Sequence, residues 1–326
     1  MTPRRVLVTG AAGFIGINLV QKLVALGHEV TALDLPGADY SHIPKDAAVM
    51  KADLSEPRVL AGKIAGFHIA YHLAARTDLD GASVQDYAVN FEGTKHLIDE
   101  LGHASSADRF VMFSTQLVVG LFDETRFIDE DDPYRTATPY GESKIRAEQA
   151  TIQLCRAYHI PYTIIRPTSV YGPHGRAPYR EFFRTIRAGT YFHIGKAANL
   201  VSMAYVENVV DLAIMLGFAT EAENEVYFAS DFHPYTMREF ADTAAAHYGR
   251  KIRTVPYAPA FVAAHALGLA KRVGVSVPLY PFRLRNITSS YCYDIQKSVN
   301  VGYRPQYDLT NGIPKTLDWY ESHGDR

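Results

Sequence analysis

The first half of the chain alternates between short apolar stretches and amphipathic ones, and this alternation limits the possible folds more than any other feature. Strand patterns are predicted at residues 6–8, 29–34, 49–53, 69–74, 109–114 and 162–166. Helix patterns separate these strands at residues 14–26, from about 56, at 83–101 and around Tyr140. Strands that alternate with helices pair in parallel through right-handed crossovers. The sequence therefore predicts an α/β fold built on a doubly wound parallel sheet.

A glycine-rich turn lies between the first predicted strand and the first predicted helix. Gly10, Gly13 and Gly16 have the spacing G-x-x-G-x-x-G. Glycines here permit a tight turn and let a pyrophosphate approach the helix N-terminus, whose N–H groups favour anions. The next strand ends at Asp34, 18 residues after Gly16. A carboxylate there suits the ribose 2′-hydroxyl of NAD and would repel the 2′-phosphate of NADP, so we predict NAD as the cofactor. The alternative is that Asp34 only caps the turn before Pro36.

Tyr140 and Lys144 are four residues apart in a predicted helix, which places both side chains on one face. A free phenol has a pKa of about 10 and is a poor base at neutral pH. A neighbouring ammonium group and an oxidised nicotinamide ring would together favour the phenolate and give a usable acid and base. Thr115 lies upstream, and its hydroxyl would hold the reacting substrate oxygen. We predict that Thr115, Tyr140 and Lys144 form a catalytic set.

The chain has enough residues and enough apolar side chains for one large unit with an appended lobe, because 47% of its 326 residues are hydrophobic. We expect residues 1–170 to form the nucleotide-binding domain, with its sheet completed by about residues 200–230. Residues 171–326 are expected to form mainly the substrate-binding lobe, interleaved with that domain. The pattern becomes irregular after Pro167, which is why the boundary between the two parts is nominal.

Charge and cysteine content exclude several classes of function. The net charge is −2, which gives no electrostatic argument for nucleic acid or a membrane surface as a partner. Cys155 and Cys292 lie far apart without metal-ligand spacing, and low cysteine usage suits a reducing compartment. The N-terminus does not read as a secretory signal, so we expect a cytoplasmic protein. We interpret the acidic run at residues 129–132 as a solvated loop rather than a metal site, and His72 as a packed strand residue.

These motifs resemble those of the extended short-chain dehydrogenases/reductases, specifically the NAD-dependent epimerase/dehydratase family. The resemblance is specific over residues 5–175 and rests on residues 8–16, 53–54, 72–75, 89–94, 113–115, 139–144, 166–167 and 171–173. It implies a Rossmann-type doubly wound sheet, a smaller and mostly C-terminal substrate lobe, and NAD as cofactor. It also implies a homodimer through the helices that begin near Ser83 and Pro139.

By the same resemblance, Asp53 and Leu54 would border the adenine, Asn90 would brace the active-site strands, and Lys144 would hold the nicotinamide ribose. The full set of residues that the resemblance assigns to the cofactor is Gly10, Ala12, Gly13, Phe14, Ile15, Gly16, Asp34, Asp53, Leu54, Leu73, Ala74, Ala75, Thr77, Asn90, Ser114, Tyr140, Lys144, Pro167, Thr168 and Val170.

Departures from the family pattern narrow the chemistry. Family dehydratases and decarboxylases carry an acid just after the catalytic hydroxyl, whereas Thr115 is followed by Gln116 and Leu117. Neither side chain can abstract a proton from carbon or protonate a leaving hydroxide, so we expect hydride transfer without elimination. The diphosphate-binding arginine of sugar-nucleotide members is replaced by Val201 and Ser202, and Ser169 stands where those members often have asparagine.

Three functions stay open. The favoured one is an NAD-dependent epimerase or ketoreductase of a nucleotide-activated sugar, whose diphosphate would be bound by cationic side chains chosen from Arg176, Arg180, His193, Lys196, Arg283 and Arg285. The second is a hydroxysteroid-type dehydrogenase with an apolar pocket formed by Phe261, Leu267, Tyr280 and Phe282. The third is a module that binds NAD without catalysis, against which the intact catalytic set argues.

Overall fold

The computed structural model describes residues 2–104, 107–120, 126–272, 281, 284 and 288–324. Its strands are β1 Arg5–Thr9, β2 Glu29–Asp34, β3 Ala48–Lys51, β4 Ile69–His72, β5 Arg109–Phe113, β6 Tyr162–Pro167, β7 Ser169–Tyr171, β8 Phe192–Ile194, β9 Leu200–Val201, β10 Met203–Tyr205, β11 Glu225–Ala229, β12 Tyr235–Thr236 and β13 Arg253–Val255. Its α-helices are α1 Phe14–Ala25, α2 Ala88–Ala104, α3 Pro139–Ala157, α4 Tyr179–Arg187, α5 Val206–Phe218, α6 Met237–His247, α7 Tyr257–Arg272, α8 Gln296–Asn300 and α9 Leu309–Ser322.

Seven strands form one parallel sheet in the order β11-β6-β5-β4-β1-β2-β3. The predicted doubly wound α/β sheet is therefore confirmed, and its edge strand β11 falls within the residues, about 200–230, that were expected to complete it. Successive side chains of a strand point to opposite faces, and both faces of this sheet are buried. Val6 and Val8 accordingly join one apolar core, and Leu7 between them joins the other. Helices α1 and α5 pack together, as do α2 and α3.

The helix predicted from about residue 56 is wrong. Residues 53–66 instead form successive tight turns, in which Glu56 N donates to Asp53 O at 3.1 Å and Lys63 N donates to Leu60 O at 2.9 Å. Arg58 and Gly62 have φ values of 59° and 69°, which a right-handed helix cannot contain. Leu60 is buried all the same, so the apolar pattern that indicated a helix is satisfied by turns.

The chain around residues 83–104 begins as a 3₁₀ turn at Val84–Tyr87 and continues as helix α2. A capping box between Ser83 and Asp86 fixes this start, because each residue's side chain bonds the other's backbone N–H.

Short elements after β6 build a smaller lobe beside the sheet. Strands β8 and β13 pair in parallel, β9 and β12 pair antiparallel, and β7 pairs with β10. Helix α9 then returns to pack on α6, and its Tyr320 hydroxyl donates to Gly175 O at 3.1 Å. The C-terminal helix thus joins the lobe to the turn after β7. None of the described helices has both the length and the apolar character that crossing a bilayer requires.

Candidate active site

The glycine-rich turn is shaped by close backbone approach. Gly10 has a φ of 68°, and a Cβ there would lie 2.6 Å from Ala74 N at the end of the neighbouring strand. A Cβ on Gly16 would overlap Gly10 O. Helix α1 begins after Gly13 without a side-chain cap and without an acidic residue in its first turn. Its N-terminal N–H groups are therefore left for an anion, and the turn fits the pyrophosphate of a dinucleotide.

Asp34 lies at the end of β2, beside this turn. Its carboxylate accepts hydrogen bonds from Ala12 N at 2.9 Å and from Leu35 N at 2.8 Å. The aspartate thus caps its own turn and also touches the glycine-rich segment. A carboxylate has four lone-pair sites, so acceptor capacity remains for a ribose hydroxyl.

Other residues that the resemblance assigned to the cofactor occupy different settings. Asp53 is half-buried and accepts from Ser55 N at 2.9 Å, which starts the series of turns after β3. Leu54 is only 4% exposed and packs inside the domain. Leu73, Ala74 and Ala75 are half-buried after β4, and Thr77 is exposed.

Asn90 braces the active-site elements. It is fully buried on α2, and its side-chain amide bonds both Arg76 N at 2.7 Å and Arg76 O at 3.0 Å. The same amide donates to Ser143 Oγ on α3 at 2.9 Å. Two of these contacts hold the segment after β4 against α2, and the third holds α2 against the helix that carries Tyr140. The asparagine therefore supports the structure and offers no free group to a ligand.

Thr115 and Tyr140 meet at the carboxyl end of β5. Thr115 caps the short 3₁₀ turn Gln116–Val118, where its hydroxyl accepts from Leu117 N at 3.3 Å, and this hydroxyl lies close to the Tyr140 phenol. Tyr140 is the second residue of α3, whose start is fixed by Pro139 in the first turn and by Thr138, whose hydroxyl accepts from Gly141 N at 3.0 Å. Burial raises the pKa of Tyr140 to about 12, and the nearby Thr115 hydroxyl acts in the opposite direction. The phenol is protonated at neutral pH in this state.

Lys144 lies one turn further along α3 and is 2% exposed. Its Nζ donates to Phe113 O, the last carbonyl of β5, at 2.6 Å. Burial lowers the pKa of Lys144 to about 8, and the carboxylate of Glu148 raises it again in part. The predicted catalytic residues thus come together in one buried site between α3 and the end of β5.

Several other assigned residues follow the ends of adjacent strands. Ser114 comes directly after β5 and is 7% exposed, and its hydroxyl has no hydrogen-bond partner among the described residues. Pro167 ends β6, and Thr168 N donates to Ala229 O at 3.0 Å. Val170 is half-buried in β7. In an open parallel sheet this edge is where ligands bind.

A buried ion pair behind the catalytic set escaped the sequence reasoning. The Arg166 guanidinium donates to both carboxylate oxygens of Glu148, at 3.1 Å and 2.8 Å, and both side chains are almost fully buried. The Tyr134 hydroxyl donates to the same carboxylate at 2.8 Å. The signal was present, because Glu148 follows Lys144 by four residues and therefore shares its helical face.

The substrate residues predicted from sequence are scattered. His193 is fully buried and bonds Asp242 Oδ1 at 2.9 Å, so its Nε2 is not free for a phosphate. Arg176 and Arg180 are exposed. Phe261 is exposed and its ring lies 4.1 Å from that of His265, while Leu267 is half-buried. Tyr280, Phe282, Arg283 and Arg285 lie outside the described residues.

Lys196 lines a cavity of about 340 Å³ in the smaller lobe. The residues around this cavity are Ile194, Gly195, Lys196, Ala197, Ala198, Asn199, Tyr257 and Thr288. The acidic run at residues 129–132 is more structured than predicted, because Glu130 accepts from Phe228 N of the edge strand at 2.7 Å. Asp132 pairs with Arg126. His72 is buried in its strand, as predicted, and bonds Thr9 and Thr94; Cys155 is also buried.

The sequence profile of the NAD dependent epimerase/dehydratase family matches residues 6–227. The chain belongs to this family. The 3-beta-hydroxysteroid dehydrogenase of Mycolicibacterium neoaurum is 28% identical to this family member over 97% of the chain and 91% of that protein. An Escherichia coli O157:H7 protein, the N-acetyl-alpha-D-glucosaminyl-diphospho-ditrans,octacis-undecaprenol 4-epimerase, is 26% identical over 98% of this chain and 96% of its own.

The fold agrees with the same assignment. The crystal structure of Thermotoga maritima UDP-glucose 4-epimerase with UDP-glucose superposes with a TM-score of 0.79 at 20% identity, covering 98% of this chain and 99% of that one. By its family membership and its sequence relatives, the protein is an enzyme of the extended short-chain dehydrogenase/reductase type, and its cofactor is NAD.

Proposed function

We propose that this enzyme transfers a hydride between NAD and a secondary alcohol of a nucleotide-activated sugar, either epimerising the carbinol or reducing the ketone. The observation that carries the proposal is the buried contact between the Thr115 and Tyr140 hydroxyls, with Lys144 one helical turn away and no carboxylate following Thr115. Such a site can move one proton at one oxygen atom.

Bound NAD supplies the hydride acceptor and donor. The chain's own residues then handle the substrate oxygen. In the reduction the Tyr140 phenol gives its proton to the ketone oxygen and becomes a phenolate, and in the oxidation the phenolate takes the proton of the alcohol. Thr115 fixes that oxygen through its own hydroxyl. Lys144 favours the phenolate electrostatically, because an ammonium ion stabilises a nearby negative charge.

The residues after Thr115 support a reaction that stops at hydride transfer. Gln116 and Leu117 have no proton to give to a leaving hydroxide and no basic atom that would take one from carbon. An activated-sugar substrate is supported by the relative that is a 4-epimerase and by Lys196 at the lobe cavity, where one cation would face a phosphate.

A hydroxysteroid-type alcohol is the second candidate. It is favoured by the 28% identity to a 3-beta-hydroxysteroid dehydrogenase over nearly the whole chain. A substrate of this kind would rely on apolar side chains of the lobe, among them Leu267 of α7.

The experiment compares both substrate classes with the purified enzyme. UDP-glucose and UDP-N-acetylglucosamine are tested for isomer exchange by NMR, and dehydroepiandrosterone is tested for NADH formation by absorbance. Exchange without net NADH supports sugar epimerisation, whereas stoichiometric NADH from the steroid supports the second candidate. Tyr140→Phe should remove nearly all turnover but keep NAD binding, with Tyr158→Phe at the far end of α3 as the matched control. Full activity of Tyr140→Phe would overturn the proposed chemistry.

We propose in addition that the enzyme acts as a cytoplasmic homodimer through α2 and α3, which pack side by side on one face of the sheet. Light scattering of the purified chain tests the dimer, and a monomer at all concentrations would contradict it.

A further inference from the structure

Gln116 has one end of its side-chain amide bonded and the other end buried without a partner. The residue is 6% exposed, and its Nε2 lies 3.5 Å from Ser169 Oγ, at the long limit of a hydrogen bond. Its Oε1 has no hydrogen-bond partner within the described part of the chain. Burying a polar atom without a partner is unfavourable, because the atom loses its hydrogen bonds to water and gains none within the protein.

The contact with Ser169 engages the nitrogen end of the amide. Ser169 has a hydroxyl, which can accept from an amide nitrogen. The Oε1 at the opposite end has no donor within reach in the described part of the chain.

The phenols of Tyr179 and Tyr291 lie near Ser169. Burial raises the pKa of each phenol, and the nearby Ser169 hydroxyl partly offsets the rise. Tyr179 begins α4, and Tyr291 precedes α8 in the smaller lobe. The contact between Gln116 and Ser169 therefore lies close to residues of the smaller lobe.

Gln116 is a direct neighbour of the catalytic hydroxyl along the chain. Gln116 directly follows Thr115, whose hydroxyl contacts Tyr140, and Ser169 comes two residues after Pro167 at the end of β6. The contact between Gln116 and Ser169 thus bridges the ends of two adjacent strands at the edge where the catalytic hydroxyls meet.

We propose that Gln116 is a specificity-determining residue whose free amide end hydrogen-bonds a hydroxyl next to the reacting carbinol of the substrate. A hydroxyl can satisfy an amide oxygen or an amide nitrogen, whereas a methylene group can satisfy neither. The site accordingly takes a vicinal diol, as in a sugar ring, and disfavours an alcohol flanked by methylenes, as in ring A of a 3-hydroxysteroid. This inference rests on the proposed hydride transfer at Tyr140.

The test uses a pair of substrates that differ by this one hydroxyl, UDP-glucose and its 3-deoxy analogue. The 3-hydroxyl is adjacent to both C2 and C4, so the pair covers reaction at either carbon. Wild-type enzyme should prefer UDP-glucose by about 10- to 100-fold in kcat/KM, because the analogue leaves the buried amide unpaired. Gln116→Met keeps an unbranched side chain of similar length but lacks the amide. It should reduce the preference to within about threefold, because removing the amide from the enzyme and the hydroxyl from the substrate, singly and together, isolates the contribution of their contact.

Gln153→Met, an exposed position on α3, is the matched control and should keep the wild-type preference. An equal preference in wild type and Gln116→Met overturns the inference, as does wild type without any preference. A different result would contradict the proposed hydride transfer at Tyr140, namely turnover that persists in Tyr140→Phe. If wild type turns over neither compound, their dissociation constants are measured by calorimetry on the NAD-loaded enzyme. Equal constants then overturn the inference, and a preference that disappears in Gln116→Met supports it.

Discussion

Replacing Glu148 with glutamine should be one of the most damaging conservative substitutions in this protein. The change removes one charge from a carboxylate that accepts two hydrogen bonds from Arg166 and one from Tyr134. The guanidinium is 4% exposed and would keep its charge, with a neutral amide and the carbonyl of Glu130 at 3.3 Å as its remaining partners. Breaking a buried pair in this way costs about 3–5 kcal/mol, because the surviving charge is left uncompensated.

The expected change in melting temperature follows from chain length. Unfolding entropy is about 2.1 cal/mol/K per residue, or about 0.7 kcal/mol/K for 326 residues. A loss of about 3–5 kcal/mol therefore corresponds to a melting temperature about 4–7 °C lower. Calorimetry of Glu148→Gln against wild type measures it directly, provided that unfolding is reversible.

Two further variants separate the charge from the hydrogen bonds. Tyr134→Phe removes one hydrogen bond to the carboxylate and should cost about 1.5–3 kcal/mol. Pairing Glu148→Gln with Arg166→Met removes both charges, and the double variant should be more stable than the sum of its single losses predicts. A Glu148→Gln variant within about 1 kcal/mol of wild type, or strictly additive losses, would refute the reasoning.

The other predictions concern the cofactor turn and the catalytic lysine. Gly10→Ala should lower stability by about 1–2 kcal/mol from backbone strain alone, and by more from the overlap with Ala74 N. It should also weaken NAD binding. Thermal melts with and without NAD measure both effects, and an unchanged melting temperature would contradict the packing argument. Asp34→Ala should weaken NAD by about tenfold and reduce the preference over NADP, measured by fluorescence titration, with retained preference as the contrary result. The pKa of Lys144 is lowered to about 8 in the folded protein, against about 10.4 in the unfolded chain. Between these two pH values the unfolded state binds more protons than the folded state, so the free energy of unfolding should rise with pH across this window. Urea unfolding at pH 7.5 and 9.5 should show less of this rise in Lys144→Met, and an identical pH dependence in both proteins would contradict the assignment.

The sequence was most informative where local pattern and global fold impose the same constraint. Gly10, Gly13 and Gly16 between a strand and a helix required a turn that only glycine can make at Gly10, and the structure has that turn. The separation of Tyr140 and Lys144 by four residues fixed their common face before any tertiary contact was known. Both signals are short in range, because they depend on backbone geometry within one turn or one helix.

The sequence failed where tertiary packing decided between local alternatives. The apolar residues after Asp53 fit a helical period, but residues with positive φ interrupt it, and the sheet buries Leu60 from a series of turns. His193 was read as a possible phosphate ligand, yet Asp242, 49 residues away, takes its Nε2 in a buried contact. Pairings over such distances leave no local pattern, because each partner alone is compatible with an exposed role.

The amino-acid sequence by itself determined the alternating sheet, the glycine-rich turn and the candidate catalytic residues, since those depend on periodicity and on spacing along the chain. Tertiary structure alone decided how these residues are charged and what surrounds them. Burial raises the pKa of Tyr140 and lowers that of Lys144, the Glu148–Arg166 pair lies behind them, and the buried Gln116 keeps one amide end unpaired. Desolvation depends on every neighbour in space, and for that reason it is a property of the fold.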